Sequence, residues 1–259
     1  MSQSLRVRLH QWPSELDPAA NRARLPEAVA GDPVDLVVLP EVFARDFGPA
    51  GSDLSAFAEP VDGQFGTALA AAADQSGTTV IAGMIEQSDD PARPFNTLLV
   101  RGPGGTPRAS YRKIHLYDSF GYKESDRLSG GALEPVVVEV AGWPVGLMTC
   151  YDLRFPELAR ALVDAGAEVL VVPAAWLPGD RKVDHWRTLA RARAIENTCF
   201  VIACGQPEPR YCGHSLVVGP LGEDLASAGG SPTTLEATLE RSVLEKARDT
   251  NPSLVNRRL

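Results

Sequence analysis

The chain predicts an α/β fold built on mixed β-sheets. Apolar strand-like runs alternate with helical runs along its length, and strand–turn–strand pairs interrupt that alternation. Alternation favours parallel pairing, whereas hairpins bring antiparallel neighbours into the same sheets. A third observation is an internal echo: Val34-Asp-Leu-Val-Val-Leu-Pro-Glu-Val-Phe43 is similar to Ala167-Glu-Val-Leu-Val-Val-Pro-Ala-Ala-Trp176. Each reads as a buried strand that ends at a proline and is followed by an aromatic. The echo fits two similar halves with a site at their strand ends; the small alphabet of buried strands also allows coincidence.

In chain order, Leu5, Val7 and Leu9 alternate with polar residues and open the chain as a strand. Asp17-Pro18 starts a short, weak helix toward Ala30, and Pro26 interrupts it. Val34 to Pro40 is a near-continuous apolar strand, which implies burial on both faces. Gln64 to Gln75 is an Ala-rich helix. Thr78 to Ile85 and Thr97 to Arg101 are strands, and the second of them ends in the turn Gly102 to Pro107. Ala109 to His115 leads into a Gly-, Ser- and charge-rich loop, Leu116 to Gly131, of a length that is uncommon in compact domains and often functional. Pro135 to Val140 and Trp143 to Thr149 form a hairpin across Ala141-Gly142. Pro156 to Ala165 is a helix closed by Gly166, Glu168 to Val172 a buried strand, and Asp184 to Asn197 the longest helix. Cys199 to Cys204, His214 to Val218 and Thr234 to Leu239 complete the strands. No linker divides the 259 residues, so one domain is expected over 4–259.

Composition limits the function. Hydrophobic residues make up 44% and charged residues 22%, a globular balance able to fill a large core. The net charge of −8 disfavours nucleic acid as a partner. Arg187, Arg191 and Arg193 share their helix with Asp184 and Glu196 and read as a solvated or inter-subunit face. The four cysteines, Cys150, Cys199, Cys204 and Cys212, match no zinc spacing; a Cys204–Cys212 disulfide would need an oxidising compartment. Met1 to Arg6 shows no signal-peptide apolar region and no run is long enough to span a membrane, so a cytoplasmic location is expected.

Three residues at strand ends could carry chemistry. Cys150 comes directly after the apolar strand Trp143 to Thr149 and precedes the helix opened by Pro156. Alone it reads as an inert core thiol; with a base and a cation beside it, it reads as a nucleophile. Glu41 directly follows the strand Val34 to Pro40. It is either a capping or ion-paired carboxylate, or a base whose pKa burial raises toward neutrality. Lys113 is either an ordinary surface lysine or a cation placed to hold an oxyanion. Base, cation and thiol together are what acyl transfer through a thioester requires. His115, His185 and His214 have nothing that pairs them with Cys150.

The segments Leu39-Pro-Glu-Val-Phe43, Tyr111-Arg-Lys-Ile-His-Leu116 and Cys150-Tyr-Asp-Leu-Arg-Phe-Pro-Glu157 resemble, in order, the three motifs of the nitrilase, or carbon–nitrogen hydrolase, superfamily. The resemblance covers nearly the whole chain and is nearest to the amidase branch of omega-amidase and deaminated-glutathione amidase. It implies a four-layer α-β-β-α sandwich with two mixed sheets. It implies Glu41 as general base, Lys113 as oxyanion-stabilising cation and proton donor, and Cys150 as nucleophile. Glu124 matches the family's second glutamate, with Asp118 and Asp126 as competitors in the same loop. The Tyr151 N–H is the expected oxyanion donor, and Ala175 and Trp176 the expected pocket wall or, equally, plain core. Arg154 and Glu157 are expected to pair and shape the turn after the nucleophile. The resemblance further implies hydrolysis of a small carboxamide, no metal or organic cofactor, and a homodimer or larger homo-oligomer. A nitrilase acting on a C≡N bond and a catalytically silent interaction subunit are the alternatives. The loop Gln206 to Cys212 has no place in this scheme.

Overall fold

The computed structural model describes residues 2–258; Met1 and Leu259, which ends the expected domain, lie outside the described residues. The elements run β1 (Ser4–Gln11), α1 (Pro18–Ala23), α2 (Leu25–Ala28), β2 (Leu36–Val38), α3 (Gln64–Ser76), β3 (Thr79–Glu86), β4 (Phe95–Arg101), β5 (Pro107–Arg112), β6 (Asp118–Ser119) and β7 (Tyr122–Lys123). They continue with β8 (Val137–Val140), β9 (Trp143–Leu147), α4 (Pro156–Asp164), β10 (Val169–Ala174), α5 (Lys182–Asn197), β11 (Phe200–Gly205), β12 (Leu216–Val218), β13 (Asp224–Ser227), β14 (Thr233–Glu240), α6 (Arg241–Thr250) and α7 (Ser253–Asn256). Two six-stranded sheets result, ordered β14-β1-β2-β3-β4-β5 and β13-β12-β11-β10-β9-β8.

Both sheets are mixed in the same way. β1, β2 and β3 are parallel, as are β9, β10 and β11; antiparallel strands flank each trio. The strands of the internal echo, β2 and β10, occupy the central position of their respective trios. The helices repeat the pattern: α1 and α2 then α3 separate the first trio, and α4 then α5 the second.

Side-chain alternation makes the layers. Leu36 and Val38 of β2 join a core that reaches across to Val145, Leu147 and Val171 of the second sheet. Val37, between them, faces the other way and packs with Phe65, Leu69 and Ala73 of α3. Leu158 and Leu162 of α4 and Trp186 and Ala190 of α5 cover the outer face of the second sheet. The order is therefore helices, sheet, sheet, helices, as the resemblance implied.

Several local expectations are corrected. The weak helix at Asp17 to Ala30 is two helices: Asp17 caps the first by accepting from Ala19 N (2.9 Å), and Pro26 lies in the opening turn of the second. The long loop after β5 is not irregular throughout, since it folds as the hairpin β6–β7 and a 3-10 turn over Glu124–Asp126. The β8–β9 connection is a two-residue turn with Ala141 and Gly142 both at positive φ (49° and 82°), the geometry that suits the strand twist. All four cysteines are free thiols, and Cys199 and Cys204 are core residues. Arg193 is not on the solvated face, because its buried guanidinium donates to Leu153 O (3.0 Å); Arg187 and Arg191 both clamp Asp224. Among the described residues no helix is long and apolar enough to cross a membrane.

Candidate active site

Parallel strands of both sheets and the edge strand β5 deliver their C-terminal ends to one pocket. Glu41 follows β2, Lys113 follows β5, Cys150 follows β9 and Ala175 follows β10. All four, together with Glu124, Tyr151 and Trp176, line a cavity of about 820 Å³ including its open mouth. Every residue that the sequence nominated for the site is therefore on its wall.

Glu41 is fully buried and each of its carboxylate oxygens is used. Oε1 accepts from Asn96 Nδ2 (2.7 Å) and Lys113 Nζ (3.1 Å), and Oε2 accepts from Ala175 N (2.6 Å). These three donors fix the carboxylate in place. Its main-chain carbonyl accepts from Gln206 Nε2 (3.0 Å), so the loop Gln206 to Cys212 wraps the site and supplies Arg210 and Tyr211 to the pocket. The chain turns sharply at Val42 (φ 49°), directly over Gly83 of β3. A Cβ on Gly83 would lie 2.3 Å from Val42 N, so only glycine admits this approach.

Lys113 is equally buried, and its ammonium bridges two carboxylates: Glu41 Oε1 and Glu124 Oε2 (2.9 Å). Burial alone would lower its pKa, but Glu124 and then Glu41 outweigh it and hold the group charged, well above the ordinary lysine value. Glu124 is positioned by its 3-10 turn and accepts from Tyr117 N. Burial, with help from Glu41, raises its pKa, and Lys113 opposes that rise. The other acids of the loop are engaged elsewhere: Asp118 accepts from Ser125, and Asp126 pairs with exposed Lys123.

Cys150 begins a 3-10 turn over Cys150–Arg154 and sits at φ 49°. That left-handed conformation costs a non-glycine residue about 1–2 kcal/mol. It persists because Asp152, fully buried, ties the turn from inside. Asp152 Oδ2 accepts from Thr149 N (2.9 Å) and Tyr111 Oη (2.6 Å), and Oδ1 accepts from His115 N (3.0 Å) and Nδ1 (2.8 Å). His115 is thus occupied in bracing the turn, stacked on Phe155 at 3.7 Å. The thiol pKa is pushed well above its ordinary value, first by burial and then by the negative charge of Glu41, with Lys113 pulling the other way. The Tyr151 amide is among the leading amides of the turn, which have no acceptor within it.

Three residues that the sequence did not reveal complete this frame: Asn96, Asp152 and Gln206. They reach partners 55, 41 and 165 residues away, respectively; the one local signal is the Thr149-x-x-Asp152 spacing of a capping box. Arg154 and Glu157 do not pair. Arg154 turns over the Trp176 ring (4.9 Å) toward His185 Nδ1 (3.4 Å), while Glu157 is exposed in the first turn of α4. Trp176 is held by donation from Nε1 to Lys182 O (3.0 Å).

Known proteins with similar sequences and structures agree with one another. The carbon–nitrogen hydrolase family model matches residues 6–249. A hydrolase of Mycobacterium tuberculosis, Rv0480c, is 41% identical over 95% of this chain and 92% of its own length. The deaminated glutathione amidase of Escherichia coli O157:H7 is 39% identical over 91% of this chain and 89% of its own. The crystal structure of Saccharomyces cerevisiae Nit3, described as a member of branch 10 of the nitrilase superfamily, is 28% identical. It covers 100% of this chain and 98% of that one, with a TM-score of 0.87.

Proposed function

Because the chain belongs to the carbon–nitrogen hydrolase family and is a hydrolase of non-peptide C–N bonds, we propose that it cleaves a small carboxamide through a thioester on Cys150. The observation that carries this reading is the convergence of the Glu41 carboxylate, the Lys113 ammonium and the Cys150 thiol, from three strand ends, on one pocket.

Burial and then Glu41 push the thiol pKa up, which favours a thiol that gives up its proton during attack over a preformed thiolate. Glu41 takes the Sγ proton as Sγ attacks the amide carbon. Negative charge gathers on the carbonyl oxygen, where Lys113 Nζ and the Tyr151 N–H can hold it. The C–N bond then breaks as the departing nitrogen takes the proton from Glu41, and ammonia leaves. Water enters, gives a proton to Glu41 and attacks the thioester carbon. The C–S bond breaks, Sγ takes back the proton from Glu41, and the product acid leaves and gives its own proton to solvent as it becomes the carboxylate. Glu124 holds Lys113 in place, and no step uses a metal or organic cofactor.

The substrate class comes from the branch. Small amides of carboxylate-bearing metabolites, such as an omega-amide or deaminated glutathione, fit the likeness to the Escherichia coli amidase. The test is ammonia release from a panel of such amides and of nitriles. Release from amides, abolished in Cys150→Ala with the fold intact, is expected, with an acyl adduct on Cys150 visible by intact mass under slow turnover. Full activity of Cys150→Ala would refute the thioester. Turnover of nitriles alone would move the reaction to C≡N hydrolysis, and inactivity across the panel would favour a silent subunit.

A further inference from the structure

Beyond the catalytic group, the pocket holds a cation that the thioester chemistry does not use. Lys182, in the first turn of α5, lines the same cavity with only 6% of its surface exposed. Burying an ammonium is unfavourable unless it is paired. Among the described residues, no carboxylate lies within ion-pair distance of its Nζ. Its partners are instead the Tyr117 hydroxyl (3.0 Å) and the faces of Phe120 (4.1 Å), Tyr117 (5.1 Å) and Trp176 (5.7 Å). Aromatic faces and one hydroxyl hold the charge in position without neutralising it. Lys113, the other buried cation of the pocket, has opposite charges in contact, Glu41 and Glu124.

We propose that Lys182, steadied by the Tyr117 hydroxyl, binds the carboxylate at the end of the substrate distant from the scissile amide. This deepens the amidase reading and rests on it. Tyr117 sets the spacing. Its backbone N–H is held by Glu124 beside the reacting group, and its hydroxyl by Lys182, so the two subsites stand about one tyrosine side chain apart. An amide carrying its carboxylate a few bonds away spans that interval. The mouth adds a second half-buried cation, Arg127, whose guanidinium has only a 3.5 Å contact with Ser52 O and lies 5.8 Å from the Tyr122 ring. By contrast Arg210, also on the pocket wall, is taken up by Asp46 (2.9 Å). The unneutralised charge thus stands across Tyr117 from Glu124, where it draws an anionic tail inward and leaves the amide at Cys150.

The experiment compares two amides with the same carbon chain, glutaramate and its methyl ester, in wild type and Lys182→Met. Methionine keeps the apolar stem and removes the charge. The specificity ratio, kcat/KM for the acid over that for the ester, should fall about tenfold to hundredfold, the range expected for one charge-assisted hydrogen bond. The loss should lie mainly in KM for the acid. Lys182→Arg should restore part of the ratio. A ratio unchanged in Lys182→Met, or a wild type with no preference for the acid, would overturn the proposal while leaving the amidase reading intact. Absence of ammonia from every amide in wild type would overturn the amidase reading itself. If Lys182→Met melts well below wild type, Tyr117→Phe provides the second variant; it keeps the ammonium but frees it from its hydroxyl, and the ratio should fall in the same direction.

Discussion

Cys150 is defined by the charges around it more than by its own chemistry. Cysteines react as thiolates, and this thiol is held well above its ordinary pKa by burial and then by Glu41, against the pull of Lys113. Each substitution therefore has a definite sign. Glu41→Gln removes the negative charge, so the thiolate forms at lower pH. Lys113→Met removes the opposing cation, so it forms at higher pH. Alkylation of Cys150 by iodoacetamide, followed by mass against pH, should show its midpoint moving down in the first variant and up in the second. Both should lose ammonia release, so that reactivity and turnover separate in Glu41→Gln. A midpoint that stays put or rises in Glu41→Gln would show that Glu41 does not act on the thiol. At this scale the sequence marked the groups that do chemistry and missed those that hold them. Glu41 and Cys150 stand out because each follows an apolar strand, whereas Lys113 follows the polar strand β5 and gains meaning only beside them. Asn96 draws its meaning from a distant partner, and Asp152 joins a local bond to Thr149 N with distant ones to Tyr111 and His115.

The strands and turns that carry these residues are constrained by close approach. β3 passes beneath the Glu41–Val42 turn, and Gly83 N donates to Pro40 O (3.3 Å) while Ala44 N donates to Gly83 O (2.9 Å). Gly83→Ala would set a methyl against main-chain atoms, Val42 N at 2.3 Å and Glu41 Cα at 2.9 Å, which cannot swing aside as a side chain can. A loss of about 1–3 kcal/mol of stability is expected, together with reduced kcat/KM as Glu41 shifts. Gly229→Ala, whose added carbon meets nothing within 4 Å, is the control. Thermal melting and ammonia release check both; wild-type values in Gly83→Ala would mean that the turn has slack. The elements that the sequence exposed are those with a clear apolar period, such as β1, β10 and β11. β6, β7 and β13 escaped because they are short and largely exposed, so no buried face imprints a pattern on them. β14 is legible only as alternation, and its meaning comes from pairing with β1 along all eight residues.

The whole molecule is two alike halves that need each other. The echo between Val34–Phe43 and Ala167–Trp176 is realised as equivalent central strands in equivalent sheets, a relation that one sequence could suggest but not distinguish from coincidence. The likeness invites the idea of two independent units, and the contacts argue against it. Leu5, Val7, Leu9, Leu36 and Val38 of the first sheet share one apolar core with Val145, Leu147 and Val171 of the second. The first sheet is completed by β14, which lies beyond the whole second half in sequence. Arg241, at the start of α6, then binds Glu168 (2.6 Å) and Gly142 O (3.1 Å) of the second half and lies 4.2 Å from the Trp143 ring. Separating the halves would expose both inner faces and leave β1 without its partner. We therefore expect the chain to unfold as one domain. Far-ultraviolet dichroism and tryptophan fluorescence should report coincident denaturant transitions, although Trp12 belongs to the first half and Trp143, Trp176 and Trp186 to the second. A fragment ending at Gly131 should lack a cooperative transition, because it loses β14 and the facing sheet together. Two resolved transitions, or a fragment that melts cooperatively, would show instead that each sheet with its helices is a folding unit, and that the site forms only on their docking.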